Sequence, residues 1–154
     1  MKTSKFVTLK ALVLLALGMS TSMNGLAGDL IVAEAWARET PPGKSMTAAY
    51  GRLQNFGDEA LVVTGVSAEV AAHSSLHETR IERDRSTMRP VSNVTIAPGE
   101  EVELAPGGMH VMLMKLDAPL VEGESIDICF TLENNEDMCS AFPIAKRKTM
   151  GHKH

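Results

Sequence analysis

Four side chains able to bind a soft metal occur in one ordered spacing: His77, ten residues, Met88, twenty-one residues, His110, one residue, Met112. Two imidazoles and two thioethers, with no thiolate or carboxylate among them, form an uncommon donor set. A thioether is uncharged, polarizable and does not titrate, so it binds hard cations poorly and Cu(I) well. Imidazole also suits copper, and becomes a ligand once it has lost its proton near neutral pH. Taken singly, Met is ordinarily core filler and His is often a polar residue satisfied by hydrogen bonds. The combination and its spacing carry the signal, which is a Cu(I) site.

The elements that must position these donors read as short strands. Apolar, β-prone runs fall near Leu30–Trp36, Thr47–Leu53, Ala60–Ser67, Ser75–Ile81, Thr87–Val91, Val102–Leu104, His110–Leu116, Ser125–Leu132 and Met138–Ile144. Turn chemistry separates them: Pro41-Pro42-Gly43, Asn55-Phe56-Gly57-Asp58, Ala97-Pro98-Gly99-Glu100, Pro106-Gly107-Gly108 and Glu122-Gly123-Glu124. Breakers this frequent mark a sandwich or barrel rather than βαβ units. No segment holds a helical period for three turns, although Ser67–Ser74 has room for one helical turn. The expected fold is all-β, a single antiparallel β-sandwich. In a strand from His110, the side chains of His110, Met112 and Met114 share one face, with His110 and Met112 about 6.5 Å apart. His77 and Met88 flank the polar turn Glu82-Arg83-Asp84-Arg85-Ser86, which contains no dipeptide that fixes the hairpin register.

The spacing H-x10-M-x21-H-x-M resembles the signature of the periplasmic copper chaperones that serve the CuA centre of cytochrome c oxidase, the PCuAC family. The likeness includes Ala35-Trp36-Ala37-Arg38, Pro41-Pro42-Gly43, Ala48-Ala49-Tyr50, Asn55, His77-Glu78 and Met88-Arg89-Pro90-Val91. It continues through Ala105-Pro106-Gly107-Gly108 to His110-Val111-Met112-Leu113-Met114, and so runs from about Leu30 to Phe142. The resemblance implies a cupredoxin-like Greek-key sandwich holding one Cu(I) through His77, Met88, His110 and Met112. It also implies a partner, the CuA-domain subunit of a terminal oxidase or another periplasmic copper protein.

The amino-terminal residues read as an export signal. Lys2, Lys5 and Lys10 precede or enter a largely apolar run from Phe6 to Gly18, and Gly25-Leu26-Ala27 offers small residues for cleavage after Ala27. The run is short of the about 20 residues a membrane span needs. The expected organisation is a signal peptide at 1–27, a copper-binding domain at 28–145 and a tail at 146–154, with the mature chain periplasmic and without a membrane span. Loss of three lysines takes the net charge from −4 to −7. An acidic body without a Lys/Arg cluster argues against nucleic acid, whose phosphates demand cations.

Cys129 and Cys139, the only two cysteines, flank Glu133-Asn134-Asn135-Glu136, which reads as a hairpin turn. In an exported domain a cross-strand disulfide is the expected state; free thiols and a second copper or redox site are the alternatives. Met114 reads as rim filler beside the site and His73 as an exposed histidine. Glu78 points to the face opposite His77, and Trp36 and Tyr50 read as core aromatics. Met150, His152 and His154 make the tail a candidate secondary Cu(II) arm. No G-x-S-x-G elbow, phosphate loop or dinucleotide fingerprint occurs, so no enzyme is expected. A blue-copper carrier needs a Cys-His-Met ligand loop, and the order after Cys139 is wrong for one. A copper buffer that holds the ion without passing it on is the nearer alternative.

Overall fold

The computed structural model describes residues 29–146; the expected leader, its cleavage point and the His/Met tail lie outside that range. Ten strands follow in order: β1 Leu30–Arg38, β2 Met46–Asn55, β3 Leu61–Ser67, β4 Ala71–Glu82, β5 Arg85–Pro90, β6 Val94–Ile96, β7 Glu101–Leu104, β8 Met109–Leu116, β9 Ser125–Leu132 and β10 Asp137–Ala145. Among the described residues there is no α-helix. Ser67–Ser74 forms no helical turn. It is the end of β3, a tight turn and the start of β4, where alternation of buried and exposed residues suits a strand.

The strands run in the spatial order β5-β4-β8-β2-β1-β10-β9-β3-β6, and β7 pairs with the second half of β2. β9 shows why these sequences make strands: Ile126, Ile128, Phe130 and Leu132 are buried, and Ser125, Asp127, Cys129 and Thr131 alternate with them on the outer face. The core that results joins Leu30, Leu53, Val63, Leu76, Ile96, Leu104, Val111, Leu113, Ile128, Phe130 and Phe142 between the two halves of the order. Burying side chains of this size contributes about 1.5–3 kcal/mol each.

Pairing is antiparallel throughout except where β1 meets β10, which run parallel through Ala37↔Ile144 and Arg38↔Ala145. The all-β, antiparallel sandwich expected from sequence holds, with this clasp as its one parallel pair among the described strands. A parallel neighbour needs a long crossover, and here nearly the whole domain intervenes between the two strands.

Two further features position the site. Between Ala33 and Trp36 the register of β1 on β2 shifts, with Glu34 at φ 51°. Before this bulge Leu30 and Val32 pair with the core-facing Asn55 and Leu53; after it, Trp36 pairs with Tyr50 and Ala37 with Ala49. The extra residue turns Trp36 from the core face to the opposite one. Gly51 accommodates it, because a Cβ there would lie 3.1 Å from the Ala33 carbonyl oxygen and 3.2 Å from Ala35 Cα. The second feature is Asn55, 1% exposed. Its amide donates to the carbonyls of Glu59 (2.7 Å) and Ile96 (2.9 Å), and its Oδ1 accepts from the Gly57 N–H (2.9 Å). It thereby ties the β2–β3 turn to β6 with every polar atom satisfied.

Cys129 and Cys139 face each other across β9 and β10 and are joined, with Cα atoms 3.9 Å apart. The disulfide expectation holds, and the bridge lies on the outer face of the second half of the sandwich. Closing so short a loop stabilises by about 2–3 kcal/mol through the unfolded chain. Reduction is expected to lower stability by about that amount while leaving the fold intact; denaturant titrations of oxidised and reduced protein check this. A reduced form that is unfolded in water, or one unchanged in midpoint, would contradict it.

Candidate metal centre

The donors come together through the pairing of β4 with β8. His77 stands directly opposite His110, and Ser75 opposite Met112. On the other side of β4, Met88 is opposite Thr79. Period-two alternation therefore puts His77, Met88, His110 and Met112 on one sheet face, while Leu76, Val111 and Leu113 point into the core. The β4–β5 hairpin supplies Met88 through a two-residue turn in which Arg83 and Asp84 both have positive φ, 49° and 62°. That is type I′ geometry, which matches the right-handed twist of the strands.

The two imidazoles have ring centroids 6.2 Å apart. His110 is buried, His77 half-buried and Met112 half-buried, whereas Met88 on the outermost strand is 57% exposed. A buried imidazole at His110 and an exposed thioether at Met88 give this face a closed side and an open side.

Hydrogen bonds prepare the rings. His110 Nδ1 lies 3.0 Å from the Gly108 carbonyl oxygen, which also accepts the Thr79 N–H at 3.0 Å. A carbonyl can only accept, so Nδ1 carries the proton and Nε2 keeps its lone pair for a metal. His77 Nε2 is 3.0 Å from the Ser75 hydroxyl, a partner that rotates and can give way. Burial, and then the nearby His110, hold the His77 pKa below the ordinary imidazole value, which favours the neutral, metal-binding form.

Trp36, Tyr50, His110 and His77 form a series of ring contacts across the sheet, with centroids 4.7, 6.3 and 6.2 Å apart. Trp36 and Tyr50 are buried as expected, but on the site face, because of the β1 bulge. Burial raises the Tyr50 pKa, with Arg38 opposing weakly, so the phenol stays neutral. Glu78 points away and pairs with Arg80 at 2.7 Å. Among the described residues there is no cluster of three or more His, Cys, Asp or Glu; the candidate donors that share this face are half thioether.

Met114 and His73, read from sequence as filler and a bystander, lie opposite each other on this same face. His73 is exposed, as read from sequence, and lies within β4, which starts four residues earlier than its β-prone run. The tail residues Met150, His152 and His154 lie outside the described residues.

Residues 30–144 match the family model described as "Putative lipoprotein LpqE-like". A protein of Leifsonia xyli subsp. xyli that bears a similar lipoprotein description is 34% identical over 119 residues, 77% of this chain and 70% of that protein. Among solved structures, apo-DR1885 from Deinococcus radiodurans is 27% identical with a TM-score of 0.61, covering 95% of this chain and 96% of that one. Its CuI-DR1885 form matches at 30% identity and TM-score 0.56, over 78% of this chain and 82% of that one. The apo PCuAC domain from PmoF1 shares the fold at TM-score 0.64 and 22% identity, over 78% and 96%.

The carbonyl of Gly108 dictates that apo His110 is the Nδ1–H tautomer. Long-range proton–nitrogen NMR is expected to show Nδ1 as the protonated and Nε2 as the bare nitrogen of this ring at neutral pH. A protonated Nε2 would contradict the arrangement.

Proposed function

The chain belongs to the LpqE-like family, and we propose that it is an exported metallochaperone whose cargo is one Cu(I) ion held by His77, Met88, His110 and Met112. The observation that carries this reading is the register that brings two imidazoles and two thioethers to one face with no carboxylate among them. Two neutral sulfur donors and no anion favour Cu(I) over Cu(II). The likeness to a structure titled CuI-DR1885 supports the same cargo. The leader at 1–27 and the disulfide agree with export to an oxidising compartment such as the periplasm. Within these residues both cysteines are bridged, so neither is available to carry a lipid, whatever the family description says.

The acceptor we infer is the CuA centre of a cytochrome c oxidase. Delivery proceeds by ligand exchange and needs no bond-making catalysis, so the reading is of a carrier and not an enzyme. The exposed Met88 thioether leaves first; an acceptor thiolate or imidazole enters on that open side, and the buried His110 releases last. A blue-copper electron carrier is disfavoured because it needs a thiolate, and both sulfurs here are bridged on the other half of the sandwich. Copper buffering without delivery remains the second reading, favoured by the same neutral donors.

Mixing Cu(I)-loaded protein with an apo CuA domain at neutral pH, then measuring copper on each after separation, separates the two. Transfer to the CuA domain is expected; copper that stays while a chelator of similar affinity removes it readily assigns the chain to buffering. In the same system Met88→Ala and Met112→Ala are each expected to weaken Cu(I) binding by about tenfold or more, with the melting temperature little changed. Unaltered affinity in both would remove the thioethers from the site.

The pH dependence follows from His77. Its pKa is lowered from 6.5, so the proton competes with copper at this ligand only below that value, and each imidazole that must shed a proton adds one to those released. Cu(I) affinity measured by chelator competition is expected to be flat through pH 6.5 from above at His77 and to fall on further acidification. A decline centred above the usual imidazole value would contradict the desolvated environment.

A further inference from the structure

The face that carries the four donors continues one step further with three more. His73 on β4 lies directly opposite Met114 on β8, and Met114 lies directly opposite Met46 on β2. The three side chains therefore form a row across three adjacent strands with a thioether at its centre. Their orientation is fixed by the neighbours: Leu113 is fully buried and Thr47 nearly so, which leaves Met114 and Met46 on the outer face. Directly opposed residues have Cβ atoms about 4.5–5.5 Å apart, so a His and a Met on either side can close over the central sulfur.

None of the three is committed elsewhere. His73 makes no hydrogen bond or ion pair among the described residues and is exposed, Met114 is half-buried, and Met46 is 47% exposed. The aligned positions of β4 and β8 bring no carboxylate to this face: β4 contributes Ala71, His73, Ser75, His77, Thr79 and Ile81 there, and β8 contributes His110, Met112 and Met114. The carboxylates of this face, Glu34, Glu101 and Glu103, gather around Arg52 toward the far end of β2; neutral soft donors such as those on β4 and β8 suit a monovalent soft cation and not a hard one. Met112 and Met114 are neighbours along this face of β8, about 6.5–7 Å apart, so the row begins where the four-donor centre ends.

We propose that His73, Met114 and Met46 form a second, more exposed Cu(I) site that adjoins the first and hands copper to or from it along β8. The inference rests on the preceding reading only for the identity of the cargo. With three donors in place of four and greater exposure, this site fills second. Passage between the two needs no electron and no proton from the thioethers: Met114 binds as Met112 lets go.

The test uses the full chain with its disulfide intact and with Met150→Ala, His152→Ala and His154→Ala to silence the tail. Anaerobic Cu(I) titration is followed through the methionine methyl and histidine ring signals by NMR. Two equivalents are expected. The first moves the methyls of Met88 and Met112; the second moves those of Met46 and Met114 together with the His73 ring. Met114→Leu, which conserves volume, is expected to reduce the stoichiometry from two to one and leave the first step in place. A single equivalent in the parent, two retained in Met114→Leu, or all these signals moving in one step would overturn the second site. Loss of the first step with Met46, Met114 and His73 still responding would leave this inference standing and remove the four-donor reading instead.

Discussion

Every donor position is counted from one cross-strand pair, His77 opposite His110. Opposed residues in a ladder share a face, and a slip of one residue would send one imidazole into the core and bring a leucine or valine out. What resists the slip is mainly the layer beneath, where Leu76, Val111 and Leu113 are packed at 4% exposure or less. The Gly108 carbonyl adds a specific lock, because it accepts from the backbone of Thr79 and from the ring of His110 at once. The face that carries the candidate donors is thus held by hydrophobic burial on the reverse side of the same strands, and the protein needs no ion to keep its rings in place.

The molecule keeps two kinds of sulfur chemistry apart. Thioethers, which neither titrate nor form disulfides, occupy the outer face of the β4–β8 half. The two cysteines are closed on themselves on the outer face of the β9–β10 half, with the aromatic and aliphatic core between. A free thiolate near the centre would bind Cu(I) far more firmly and resist release. In the function proposed above, donors that are soft but neutral would hold the ion in a form that an anionic acceptor can win.

Much of this was legible in the residues. Nine of the ten strands follow from alternation and turn residues, and the disulfide follows from two cysteines flanking a polar turn. The brief β6, Val94–Ile96, escaped because three residues carry no readable period. The register of the β4–β5 hairpin was hidden because Arg83 and Asp84 adopt positive φ without the Asn-Gly or Asp-Gly pair that announces it. The face of Trp36 depends on a bulge at Glu34, and a single inserted residue leaves no mark in composition. Met46 drew no reading, and His73 was read as an exposed histidine, which it is; their common row was hidden for a related reason. Their partner Met114 is remote from both in sequence, and only the finished sheet brings the three into one row.

The parallel clasp between the first and last strands gives the domain a polarity. β1 begins at Leu30, beside Asn55, and ends at Arg38, where Ala145 closes β10 next to it. Eight steps along the strand separate those points by about 25 Å. Chain joined ahead of Leu30 therefore departs from one pole, and chain continuing past Ala145 departs from the other. The Met112 and Met114 rows lie toward the second pole, since Ala48 and Met46 precede Tyr50 on β2. A leash at the amino end would hold the domain with its donor rows turned outward, and a leash at the carboxyl end would hold them close to whatever it is fastened to.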